Sequence, residues 1–148
     1  MKQILSRLLP FFLALVLLTG CKAYTLTDYL PDLIVKETQL PGITSITVKR
    51  LSDGAGVTLT EASALNEMML HVEGIQGSRT EESLETFSET YPAQYEIQFT
   101  DASGSVVLTV CGEEEFHMAG YSWLAVRGGM DLFYLDSLFA QTDAAAAE

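Results

Sequence analysis

From Leu8 to Leu18 every residue is apolar or proline, and this run decides which part of the chain can fold in water. A helix needs about 20 residues to cross a hydrocarbon core, so the run is too short to span one. Lys2 and Arg7 precede it, and no acid occurs before Asp28. A positive start followed by a short apolar stretch is the pattern of a secretory signal, which is removed and takes no part in the fold. The folded domain has to be sought downstream of it.

The run closes on Leu18-Thr19-Gly20-Cys21. An aliphatic residue, two small residues and a cysteine resemble, position by position, the lipobox of bacterial lipoproteins. In that family a dedicated peptidase, which needs small residues to close around the backbone, cuts before the cysteine once its thiol carries diacylglycerol. The resemblance implies that residues 1–20 are a cleaved signal peptide and that Cys21 is the lipidated first residue of the mature chain. It also implies a domain held on the extracytoplasmic face of a cell membrane. The plain alternative is an ordinary secretory signal that happens to carry a cysteine. Each buried methylene of an acyl chain contributes about 0.8 kcal/mol, so two chains anchor stably.

Loss of Lys2 and Arg7 with the signal leaves six cations against twenty acids, a formal charge of −14. Phosphate backbones bind through Lys and Arg, so nucleic acid is excluded as a partner. The same charge opposes lying flat on an anionic leaflet, so the acyl group has to do the holding. About 127 residues follow Cys21, enough for one domain with one core. With Cys21 acylated, Cys111 has no partner for an intramolecular disulfide. It closes the run Val106-Val107-Leu108-Thr109-Val110 and reads as a buried thiol acting as a small hydrophobe, a reactive or intermolecular thiol being the sharper alternative.

Residues 21–42 read as the lipidated cysteine and a tether, broken by Pro31 and Pro41, with its apolar residues packing partly on the domain. A single domain is expected over 43–140. Ile43 to Val48 is β-branched nearly throughout and predicts a strand; Ser52 to Gly56 is turn chemistry, and Val57-Thr58-Leu59 returns as the second arm of a hairpin. Thr60 is placed as an N-cap with Glu61 in the first turn, and Leu65, Met68, Met69, Val72 and Ile75 follow at helical spacing until Gly74 and Gly77. Ser78 to Ala93 reads as a long acidic surface loop with room for a short helical turn around Leu84. Tyr95–Phe99 alternates as a strand, and Ser105–Cys111 reads as a central one after the Asp101–Gly104 turn. Glu115–Met118 and Tyr121–Val126 flank an Ala119-Gly120 turn. Asp131 caps a last helix with Leu132, Leu135, Leu138 and Phe139 inward, and 141–148 is an alanine-rich tail.

The expected fold is therefore α+β: an antiparallel sheet of five to six strands with two helices on one face, in the order β-β-α-β-β-β-β-α. The Ile43–Val48 strand, the Thr60 cap and the Tyr95–Phe99 strand resemble small domains of unknown function on lipoproteins of Gram-positive bacteria. That resemblance brings no activity with it.

Two groups invite a functional reading. Glu113, Glu115 and His117 alternate and would share one face of a strand, where two carboxylates and an imidazole could hold a divalent cation; a solvated hairpin tip is the plainer reading. In the acidic loop, Glu81, Glu82, Glu85 and Glu89 interleave with Phe87 and Tyr91. Exposed aromatics there would suit an interface, while aromatics tucked onto the sheet are the commoner outcome. His71 reads as a surface or boundary histidine. Neither Gly-x-Ser-x-Gly nor His-Glu-x-x-His occurs, and no glycines form a phosphate loop. The expectation is a lipid-anchored, non-catalytic interaction or accessory domain that binds another envelope protein and carries no cofactor. A small-ligand or divalent-cation-binding lipoprotein is the alternative, and a cell-envelope hydrolase fits least.

Overall fold

The computed structural model describes residues 27–29, 32, 42–102 and 104–140. The signal, the lipobox with Cys21 and the 141–148 tail lie outside the described residues. Among the described residues the strands and multi-residue helices follow in the order β1 (Thr27–Tyr29), β2 (Ser45–Arg50), β3 (Gly56–Leu59), α1 (Ala62–Glu73), β4 (Gln76–Arg79), α2 (Leu84–Thr90), β5 (Tyr95–Thr100), β6 (Ser105–Val110), β7 (Glu115–Met118), β8 (Tyr121–Arg127) and α3 (Leu132–Ser137). All eight strands form one sheet in the order β1-β4-β8-β7-β6-β5-β2-β3, each pair antiparallel. Among the described residues no helix is long and apolar enough to cross a membrane.

The α+β class and the antiparallel sheet are as expected, but seven strands lie within 43–140 and an eighth comes from the segment read as tether. The period-2 pattern puts one residue in two on the core face. Val48, Ile97, Leu108 and Met118 follow one another across β2, β5, β6 and β7, and Tyr95, Val110, Phe116 and Trp123 make a parallel row across β5 to β8. α1 and α3 close this face. Met68, Val72, Leu135 and Phe139 are fully buried in the same cluster as Ile46, Ile97 and Phe99. His71 of α1 stacks on Tyr134 of α3 at 3.8 Å, with Nδ1 3.3 Å from Asp131 Oδ2, so the two helices also meet at the rim.

Three local readings change. Thr60 is not the cap of α1: Glu61 occupies the N-cap position in extended conformation and makes no side-chain cap bond. Gly74 does end the helix, but Gly77 belongs to β4, a strand of Gln-Gly-Ser-Arg with no β-branched residue to announce it. In the acidic stretch the helical turn allowed for around Leu84 is a full helix: Ser83 Oγ accepts the Thr86 N–H at 3.2 Å and starts α2. Ser78 and Arg79 belong to β4, and loop remains on either side of the helix. α2 packs on the sheet face opposite α1 and α3, so the helices are not confined to one side. The Asp131 cap is as expected, its carboxylate accepting the Tyr134 N–H at 2.9 Å.

β4 is held by shape as much as by hydrogen bonds. A Cβ on Gly77 would stand 2.8 Å from Phe116 Cζ and 3.5 Å from Trp123 Cε3. The two rings lie parallel, 6.4 Å apart at 2°, and their edges use the space a side chain would take. Glycine inside a strand commonly marks such a close approach. Gly77→Ala should therefore cost about 1–3 kcal/mol by overpacking. Gly74→Ala, where nothing lies within 4 Å of the added methyl, should change stability by less than about 1 kcal/mol. Urea unfolding of the two variants checks the contrast.

Candidate functional site

The outer face of the sheet places His117 of β7 opposite Ser122 of β8 and Thr109 of β6, because strand partners directly across share a face. α2 lies over this point. Phe87 is fully buried and meets the His117 ring edge-on at 4.9 Å, and Tyr91 packs against Phe87 at the same centroid distance. The two aromatics of the acidic stretch thus tuck onto the sheet. Glu81, Glu82, Glu85 and Glu89 remain exposed. Leu84, Phe87, Ser88 and Tyr91 fall at helical spacing, a signal obscured by the acids between them.

Both nitrogens of His117 have partners. Nε2 lies 3.2 Å from Ser88 Oγ and Nδ1 lies 3.3 Å from Ser122 Oγ. Ser88 Oγ already donates its hydrogen to the Leu84 carbonyl at 2.7 Å, so towards His117 it can only accept. The proton therefore sits on Nε2, and Nδ1 accepts from the Ser122 hydroxyl. Burial holds His117 below the ordinary histidine value, in keeping with a neutral ring. A serine donating to an imidazole is half of a nucleophilic dyad. Here, however, Ser122 is 2% exposed, and the far nitrogen faces Ser88 where a triad has its orienting acid.

The three residues considered for a cation do not converge. Glu115 and His117 share the outer face, whereas Glu113 lies in the turn before β7, its carbonyl accepting the Met130 N–H at 2.6 Å. Among the described residues no three His, Cys, Asp or Glu side chains are gathered to hold a metal. Cys111 is buried, and burial first and Glu115 second push its thiol up to about 11. A thiol is a poor nucleophile at neutral pH when protonated.

Sequence reasoning passed over a second feature. The Arg79 guanidinium lies over the Tyr121 ring, 3.3 Å from its centroid, where β4 ends and β8 begins. The pair borders a groove of about 660 Å³ lined also by Glu81, Glu82 and Leu84. No short motif announces it, since it depends on the pairing of Arg79 with Trp123 across β4 and β8.

The titration of His117 gives a signed prediction. Its folded-state value lies below the unfolded one of 6.5, so the unfolded chain binds the extra proton first. Stability from this group is complete above about pH 6.5 and is lost as pH falls from there through the depressed folded value. His117→Gln should flatten that part of the stability profile, read by chemical denaturation between pH 7 and 5. An unchanged slope would contradict the buried neutral ring.

No protein-family model, curated protein or solved structure matches the chain.

Proposed function

We propose that the chain is a membrane-anchored lipoprotein on the extracytoplasmic face, and that its domain has a non-catalytic protein-interaction or accessory role. The observation that carries this reading is Leu18-Thr19-Gly20-Cys21 directly behind the apolar run from Leu8 to Leu18. The folded domain supplies supporting chemistry. His117 is engaged on both sides by serines, Ser122 is buried, and the thiol of Cys111 is held protonated. What α2 offers to solvent is the pair of carboxylates Glu85 and Glu89, one helical turn apart on a helix whose other side is pinned by Phe87. A basic surface on another envelope protein would complement it, since complementary charge steers association and sets specificity.

Two measurements test the two halves. Cys21→Ser should abolish incorporation of labelled fatty acid, and continued labelling would remove the anchor assignment. A photocrosslinking residue at Glu85 in the full-length chain in cells should capture one dominant envelope protein. Capture should fall at least fivefold when Glu89, one helical turn further along α2, becomes Lys. Capture that is unspecific, or indifferent to that charge, would overturn the interaction role of α2.

A further inference from the structure

We propose that the domain stands on the membrane on one particular end, the end bearing Arg79, Tyr121 and Leu84, with the Arg79 guanidinium against lipid headgroup phosphates. The inference rests on the anchoring of Cys21 proposed above.

The first support is the length of chain between the anchor and the fold. β1 is paired with β4 from Thr27, opposite Ser78, so Cys21 and the sheet are six residues apart. Six residues reach at most about 22 Å. Eight strands at about 4.8 Å spacing make a sheet about 34 Å wide. The tether is therefore shorter than the sheet is broad, and the lipid must lie near the β1–β4 edge. Direction selects the end. Since neighbouring strands are antiparallel, the start of β1 lies at the same end as the close of β4 and the start of β8, that is, beside Arg79 and Tyr121.

The second support is what the two ends carry. At the anchor end Tyr121 and Leu84 are 40% and 42% exposed, and Arg79 has no salt-bridged carboxylate among the described residues. A cation on an amphipathic ring beside an exposed leucine suits the boundary between headgroups and water. The opposite end carries Asp53, Glu113, Glu114, Asp131 and Asp136 at the far turns and in α3, with Arg50 and Arg127 as its cations. Arg50 pairs with Asp53 at 2.6 Å, which leaves the acids in excess there. Glu61, Glu81 and Glu82 leave acid in excess at the anchor end too, so what distinguishes that end is the cation on the exposed Tyr121 ring beside Leu84 and not its net charge. Glu81 and Glu82 share the groove with Arg79, so a headgroup combining an ammonium with its phosphate answers both signs, as a purely anionic one would not.

The test uses the full lipidated chain in phosphatidylethanolamine–phosphatidylcholine vesicles with a headgroup-linked nitroxide quencher. A fluorophore is placed at Ala119→Cys, in the β7–β8 turn, or at Glu114→Cys, at the far end; buried Cys111 stays unlabelled at neutral pH. Ala119 already has a positive φ of 52° with a Cβ in place, so the substitution leaves the turn intact. Flotation with the vesicles is read first, and a chain that does not float overturns the anchoring and the orientation together. In floating protein, quenching at 119 at least threefold above that at 114 supports the orientation, and equal or reversed quenching overturns it while leaving the anchor standing. Arg79→Ala should bring the ratio below about 1.5, with the circular dichroism spectrum unchanged. A ratio unmoved by that change would overturn the Arg79 contact.

Discussion

The close approach of Phe116 and Trp123 to Gly77 is the contact on which the outer third of the molecule depends. The two rings extend the core row past β8, and only a residue without a side chain lets β4 lie beside them. With β4 in place β1 has an edge to pair with, and the chain beyond Arg79 is delivered to the far face, where it forms α2. Loss of that packing would release the edge of the sheet, the helix over His117 and the Arg79–Tyr121 pair together.

The seven elements with a clear period were legible in the sequence. β2, β3, β5, β6, β7 and β8 alternate or run apolar between turn residues, and α1 repeats its apolar positions at helical spacing. The Asp131 cap of α3 was readable from a single residue, because such a cap depends only on local geometry. What escaped notice depends on contacts between distant residues. Gln76 to Arg79 becomes a strand through its neighbours β8 and β1, without help from its own propensity. Thr27 to Tyr29 likewise acquires extended structure from the edge it meets. In α2, acids set between Leu84, Phe87, Ser88 and Tyr91 concealed the helical face, while the Ser83 cap was present to be read. Ser88 and Ser122 could not be assigned to His117 from sequence, since they stand 29 and 5 positions away and only β7–β8 pairing and α2 packing unite them.

Three polar contacts join the helices to the sheet and to each other. His117 joins α2 to the sheet; Tyr95 donates to Asp136 at 2.5 Å, with burial first and that carboxylate second pushing its phenol up to about 12; His71 and Tyr134 join α1 to α3. These contacts fix where the helices sit and leave the carboxylates of α2 and the far turns exposed. Were Cys21 acylated, the six residues from it to β1 would hold the β1–β4 edge close to the membrane. A covalent anchor would make this arrangement workable despite a formal charge of −14 after Cys21.

The most direct measurement is the intact mass of the mature protein purified from membranes. Anchoring at Cys21 predicts a chain of residues 21–148 carrying the added mass of a diacylglyceryl group on its first residue, with no species retaining residues 1–20. A full-length chain from Met1, or a mature chain whose Cys21 thiol is free, would contradict it.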